Sequence, residues 1–255
     1  MKLVSWNVNG LRAVYKKNFL DWFALENPDI LCLQEIKSSE DQLPEPLKSV
    51  KGYRAFFNAA EKKGYSGVAL YTRPVPKKTA PGWGDARFLG EGRVLAAEYV
   101  DFHLFNVYFP NGKASKERLR YKMDFYESFL DHVRSLTRRG KRIVVCGDVN
   151  TAHRSIDLAR PKENENVSGF LPEEREWIDR LLDAGFVDAF RRFEPGPGHY
   201  TWWDMKSGAR ARNVGWRIDY FFVNERMNAA VRSADILKDV TGSDHCPVRL
   251  DLALP

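Results

Sequence analysis

The chain has 255 residues, 44% hydrophobic and 29% charged, enough apolar material to fill a sizeable core without outside help. No run approaches the roughly 18 apolar residues of a membrane span, and Met1-Lys2 passes straight into Leu3-Val4-Ser5-Trp6 with no apolar leader. The three cysteines, Cys32, Cys146 and Cys246, are widely spaced and form no CxxC pair, so neither a disulfide framework nor a zinc knuckle is indicated, while the net charge of +6 modestly favours a polyanionic partner.

Lys2 to Trp6 reads as a buried strand, followed by a helix over Leu11 to Glu26 that stops where Asn27-Pro28 disfavours continuation. Ile30 to Gln34 is a second strand. Tyr53 to Phe57 with Gly67 to Tyr71, and Val94 to Tyr99 with Phe102 to Phe109, read as hairpins. Lys116 to Arg138 carries Leu119, Met123, Tyr126, Leu130 and Val133 at three- and four-residue steps, with Gly140 as a stop signal; this predicts a long helix. Arg142 to Cys146 is a strand, and Pro172 to Ala184 a helix with an acidic first turn and Gly185 past its end. Arg217 to Val223, Val231 to Leu237 and Val248 to Leu252 complete the strands. Many are apolar nearly throughout, as strands buried on both faces are. Helices alternating with strands in both halves predict an α/β fold, a four-layer sandwich of two mixed β-sheets packed face to face with helices on the outside. No low-complexity linker or repeat breaks the chain, so one domain over residues 1–255 is expected.

The polar residues of interest share a habit: they end apolar strands. Asn7 and Asn9 follow the first strand, Glu35 the second, Tyr108 and Asn111 a long one, and Asp148 and Asn150 another. Asp219 interrupts an apolar run, and Asp244-His245 precedes the last strand. In layered α/β folds the strands fix position while the following loops supply groups, so sites gather there. Any one of Asn7, Asp148 or Asn150 alone is better read as a turn former, and His245 alone fits a structural histidine. Asp219 is costly to bury without a partner. Together these residues make a poor zinc site and a good site for a hard cation and a phosphate.

Two basic groups stand out. Lys113, Lys116, Arg118, Arg120 and Lys122 crowd one segment, and a solvated helix face explains them about as well as a polyanion does. Arg210, Arg212 and Arg217 alternate with Trp202, Trp203 and Trp216, a mixture that suits nucleic acid better than water.

At this point the sequence resembles a known family, the exonuclease III class of abasic-site endonucleases, within the fold shared with DNase I. The matching strings are Ser5-Trp6-Asn7-Val8-Asn9-Gly10-Leu11-Arg12, Leu31 to Lys37, Gly64 to Val68, Tyr108-Phe109-Pro110-Asn111, Gly147-Asp148-Val149-Asn150-Thr151-Ala152-His153, Asn213 to Tyr220, and Gly242-Ser243-Asp244-His245-Cys246-Pro247. They run in family order over essentially the whole chain. The resemblance implies a magnesium-dependent enzyme, with manganese as a substitute, that nicks double-stranded DNA 5′ to an abasic site and leaves a 3′ hydroxyl. Some 3′–5′ exonuclease or 3′-phosphodiesterase activity is implied as well. It gives Glu35, Asn7 and Asp244 to the metal. Asp148 becomes the base that activates water, Asn150 its positioner, and His245 a phosphate contact oriented by Asp219, with Tyr108 and Asn111 as phosphate donors. Trp202, Trp216 and Ile218 would wall a pocket for a bare sugar, while Lys113, Lys116, Arg210 and Arg212 grip flanking strands. A monomeric, cytoplasmic DNA repair enzyme is expected. Asn9 stands where some relatives carry aspartate, which weakens that position as a second ligand.

Rival readings are a phosphatase or sphingomyelinase of the same fold, a DNase I type nuclease, and a non-catalytic DNA-binding module. A basic rim beside Asn213 to Tyr220 disfavours the first, and Tyr108 in place of a histidine the second. The presence of Glu35, Asp148, Asn150, Asp219 and His245 together disfavours the third.

Overall fold

The computed structural model describes residues 1–206 and 208–254. The amino-terminal half contains β1 (Lys2–Asn7), α1 (Leu11–Tyr15), α2 (Phe19–Glu26), β2 (Ile30–Gln34), α3 (Glu45–Lys48), β3 (Arg54–Asn58) and β4 (Val68–Thr72). It continues with β5 (Lys78–Pro81), β6 (Val94–Glu98), β7 (His103–Tyr108), α4 (Lys116–Arg138) and β8 (Ile143–Asp148). Then follow α5 (Pro161–Asn164), α6 (Pro172–Asp183), β9 (Phe186–Asp188), β10 (Trp202–Trp203), β11 (Gly215–Trp216), β12 (Asp219–Asn224), α7 (Glu225–Asn228), β13 (Val231–Ile236) and β14 (Val248–Leu252).

The strands form two six-stranded sheets, in the orders β13-β14-β1-β2-β4-β3 and β5-β6-β7-β8-β12-β9, with β10 and β11 as a separate ribbon. Each large sheet is mixed in the same way. A parallel pair lies at its centre, β1 with β2 and β7 with β8, and the remaining pairings are antiparallel. A parallel pair needs a crossover; α1 and α2 supply the first and α4 the second.

Three apolar layers hold the stack together. Between the sheets, Leu3, Ile30, Cys32 and Leu70 meet Leu104, Val144, Cys146 and Phe221. On one outer face Val4, Trp6, Leu31 and Leu33 pack under Phe19 and Phe23 of α2. On the other, Phe105, Val107 and Val145 pack under Phe125, Phe129 and Val133 of α4 and Trp177 and Ile178 of α6. Each fully buried side chain of this size contributes about 1.5–3 kcal/mol. The expected four-layer sandwich and both hairpins are present, and all three cysteines are free and buried. Among the described residues no helix is long and apolar enough to cross a membrane.

Several expectations are corrected. The helix expected over Leu11 to Glu26 is two helices, broken at Asn18, which adopts a left-handed φ of 64°. Asparagine tolerates that conformation, and the bend lets Trp22 reach Trp6, ring centroids 4.7 Å apart. Arg217 and Ile218 lie before β12 rather than within it, so Asp219 opens the strand instead of interrupting it. The strands β5, β9, β10 and β11 have two to four residues each and gave no run long enough to read.

Candidate active site

The carboxyl ends of the two central parallel pairs meet across the sandwich. Asn7 ends β1, Glu35 follows β2, Tyr108 ends β7 and Asp148 ends β8. Asn7 bridges the sheets: its Nδ2 donates to Glu35 Oε1 and to Asp148 Oδ2, both at 2.8 Å. Its Oδ1 accepts from the Asn9 amide at 3.0 Å, which fixes the orientation of the side chain. Asn7 therefore turns N–H toward the two carboxylates and aligns them.

Glu35 adopts a φ of 51° and turns out of the strand into a cavity. Burial alone would raise its pKa; the Lys37 ammonium, 2.9 Å from Oε2, and the Asn7 hydrogen bond hold it below the usual value. Asp148 is 1% exposed. Its Oδ1 accepts from the Asn150 amide at 2.8 Å. Burial, then repulsion from Asp219, its cross-strand neighbour, pushes the Asp148 pKa up to about 7. Burial would depress the His245 pKa, but Asp219, whose Oδ2 lies 2.8 Å from Nδ1, raises it to about 10. His245 Nε2 is 3.9 Å from Asp148 Oδ2. At neutral pH the centre thus holds an imidazolium between Asp219 and Asp148, the latter poised near its titration point.

Glu35, Asp148 and His245 each bring a ligand atom within 4.8 Å of the others. The carboxylate oxygens suit a hard cation, and among the described residues no thiolate joins them. His245 completes this set by distance, yet a protonated imidazole is a donor and not a ligand. Asp244, expected at the metal, lines the same cavity, where its Oδ2 accepts from Trp202 Nε1 at 3.0 Å and its Oδ1 from Asn9 Nδ2 at 2.9 Å.

Asn150, with a φ of 56°, donates from Nδ2 to the Phe109 carbonyl at 2.9 Å and accepts from Asn111 Nδ2 at 2.9 Å. Tyr108 is 8% exposed, with the Arg93 guanidinium 4.6 Å from its ring centre. Burial and the Glu35 charge raise its pKa, so it stays a neutral donor. These groups share a cavity of about 280 Å³ whose other walls include Trp202, Trp216, Ile218 and the Ser168–Gly169 stretch. The two indoles meet edge to face, centroids 6.4 Å apart, as cross-strand partners in the β10–β11 ribbon. Lys113 Nζ lies 5.9 Å from the Trp202 ring and 5.5 Å from the Trp216 ring.

The remaining expected residues lie outside this cavity. Asp219 stands behind His245, and Lys116 is exposed at the start of α4. Arg212 is exposed on the loop before β11. Arg210 donates to the carbonyls of Ser243, Lys238 and Val240 at 2.6–3.3 Å and stacks on Trp203, tying its loop to the one that carries His245.

Two basic groups are corrected in part. Arg217 is 1% exposed, with its guanidinium 2.8 Å from Asp157 and 2.7 Å from Asp188, and Trp203 is buried. Lys122 is fully buried, and Arg118 pairs with Glu91. Sequence reasoning also passed over a neighbouring cleft of about 750 Å³ lined by Arg12, Lys16 and Lys37. The signal was there, since Arg12 and Lys16 stand four apart, a helical spacing that puts both on one side.

A model of the endonuclease/exonuclease/phosphatase family matches residues 4–245. The chain belongs to that family. It is 45% identical to an exodeoxyribonuclease of Bacillus subtilis over 253 residues, 98% of each chain. It is 43% identical to the DNA repair nuclease APEX1 of Danio rerio, covering all of this chain and 83% of that protein. Among solved structures, a 3′-5′ exonuclease from Neisseria meningitidis superposes over the full length of both chains with a TM-score of 0.91 at 30% identity. An AP endonuclease from Archaeoglobus fulgidus does so with 0.90 at 27%. The chain is accordingly an enzyme, a hydrolase of the nuclease kind, and its relatives are those of the exonuclease III class.

Proposed function

We propose that the protein is a magnesium-dependent DNA repair endonuclease that hydrolyses the phosphodiester bond 5′ to an abasic site in duplex DNA, leaving a 3′ hydroxyl. The observation that carries this reading is one cavity in which a carboxylate–histidine centre opens directly onto a recess walled by Trp202, Trp216 and Ile218. An abasic nucleotide has no base to unstack, so turning it outward costs less than the few kcal/mol of an intact one. A narrow aromatic recess favours a sugar and excludes a sugar with its base.

Glu35 holds the cation through its carboxylate, aligned by Asn7. Bound there, Mg²⁺ or Mn²⁺ supplies Lewis-acid stabilisation of charge on the phosphate. Asp148 takes the proton of the attacking water, and a base with a pKa near 7 is matched to that task. Asn150 fixes that water, with Asn111 holding the Asn150 side chain. His245 is a charged donor for a phosphate oxygen, kept in orientation by Asp219, and meets the developing negative charge without reorganising. Tyr108 donates from a neutral hydroxyl. Lys113 stands over the two indoles, where a phosphate flanking the recess would lie. The likeness to exodeoxyribonucleases and to a 3′ phosphatase bound to a product DNA hairpin supports accompanying activity at 3′ ends.

The test is an end-labelled duplex with one stable abasic analogue, incubated with Mg²⁺, Mn²⁺ or EDTA beside an intact control. Cleavage at the analogue alone, abolished by EDTA and reduced at least a thousandfold in Asp148→Asn, is the expected outcome. Equal cutting of the control would remove lesion specificity.

A further inference from the structure

Directly beneath the cavity lies a buried ion pair that the proposed chemistry does not use. Lys122 of α4 and Glu174 of α6 are both 0% exposed, with Nζ 2.6 Å from Oε1. Lys122 Nζ also donates to the Asn150 carbonyl at 2.8 Å and to Thr151 Oγ1 at 2.9 Å. Glu174 accepts from Ser168 Oγ at 2.7 Å, the Gly169 amide at 2.5 Å and the Leu171 amide at 3.0 Å. The last of these caps α6, whose third residue is Glu174. The bonds to Ser168 and Gly169 are not part of any helix; they grip the cavity wall.

The two ends of this pair therefore hold two adjoining segments of the site, which also meet through the Ala152 amide donating to the Gly169 carbonyl at 2.8 Å. Lys122 holds the segment that carries Asp148 and Asn150, and Glu174 holds the Ser168–Gly169 wall. That wall is in contact with Trp216: a Cβ on Gly169 would stand 3.2 Å from the Trp216 ring and 3.4 Å from the Asn150 carbonyl. A buried pair is a weak source of net stability, since apolar replacements of both partners are often neutral. What an apolar pair cannot do is hold a carbonyl on one wall and an amide on the other.

We infer that the Lys122–Glu174 pair is a positioning device, setting how the Asp148–Asn150 segment is registered against the adjoining Gly169–Trp216 wall of the cavity that the substrate sugar must enter. The inference rests on the abasic-site reading above. Lys122 and Glu174 act through Asn150 and the wall, and neither touches the reacting atoms.

The decisive variant is Lys122→Met/Glu174→Gln. It removes both charges together, leaves no unpaired buried ion, and keeps an acceptor for the Gly169 and Leu171 amides. Steady-state cleavage of the abasic-analogue duplex is measured for it, for Lys122→Met and for the parent. Rates are expressed per folded molecule from circular dichroism melts. A displacement near 1 Å costs about a hundredfold in rate, so kcat of the double variant should fall 10- to 100-fold while KM changes less than threefold. A double variant within threefold of the parent kcat overturns the inference. So does a loss that appears wholly in KM or only in the folded fraction of Lys122→Met. If the parent degrades intact 3′ ends and leaves the analogue uncut, the substrate reading fails; the same kcat comparison on that activity then decides the positioning role.

Discussion

Asp148 gains its character from four neighbours, Asp219, His245, Glu35 and Asn7, and the absence of water. Burial and Asp219 raise its pKa to about 7, against His245 and Asn7, which lower it. Two consequences follow for the pH axis. The rate should climb as Asp148 loses its proton near pH 7 and decline as His245 loses its own near pH 10, giving a bell in kcat/KM. Bound cation favours the carboxylate, so raising Mg²⁺ should slide the acid limb to lower pH; a fixed limb across the titration counts against Asp148 as the base. Stability without metal runs the other way. The folded chain keeps a proton on Asp148 that the unfolded chain loses near pH 3.9, so native stability falls as pH rises from about 4 to about 7. The raised His245 pKa adds stability that is full below about 6.5 and is lost as pH rises through about 10. Asp148→Asn removes the first effect and, by taking one negative charge from beside His245, also trims the second. Its Tm in EDTA should exceed that of the parent by a few °C at pH 8 and lose that margin at pH 4; an equal margin at both pH values would contradict the assignment.

At the scale of elements, burial of cations separates what the sequence discloses from what it hides. Arg217 directly follows Trp216 of β11 and belongs to a group of arginines interspersed with tryptophans, which on paper matches a DNA-facing rim. Its partners, Asp157 and Asp188, lie 60 and 29 residues away, and only the folded chain brings them to its guanidinium. Arg217→Met should therefore destabilise by roughly 3 kcal/mol through the uncompensated acids, seen as a lower denaturation midpoint with no change in the salt dependence of DNA binding. The same loss accompanied by a shallower salt dependence would return Arg217 to the interface. Lys122 was hidden for the same reason, since Glu174 is 52 residues away. The strands that carry the site were legible because β1, β2, β7 and β8 are buried on both faces and so read as apolar runs ending in polar residues. Short or edge strands such as β5 and β9 leave no such trace, and the helix break at Asn18 depends on how Trp22 packs on Trp6. Orientation was hidden too: that Asn7 presents its N–H and that Trp202 occupies Asp244 are facts of side-chain geometry.

For the whole molecule the electrostatic problem is that a pit of acids must receive a polyanion. Glu35, Asp148 and Asp244 line the cavity, while Lys113 stands at its edge and Arg12, Lys16 and Lys37 line the adjoining cleft. The +6 net charge alone would not localise DNA; under the proposed function the placement of these cations would. Each phosphate neutralised contributes about −0.9 to the slope of log affinity against log salt. Binding of an abasic-analogue duplex, followed by fluorescence anisotropy on the Asp148→Asn background so that no cutting intervenes, should weaken steeply between 50 and 200 mM salt, as several phosphate contacts require. Lys113→Ala should make the slope shallower by about one. Lys78→Ala serves as the control. Lys78 pairs across the sheet with Glu98 and, through it, lies level with His103, at the opposite end of β7 from Tyr108. Its loss should leave the slope unchanged. Equal effects from Lys78 and Lys113 would mean that the protein holds DNA by diffuse charge, and the path across the Trp202–Trp216 face would have to be abandoned. An effect confined to Lys113 ties the backbone of the bound strand to the rim of the cavity, next to the carboxylates that would cut it.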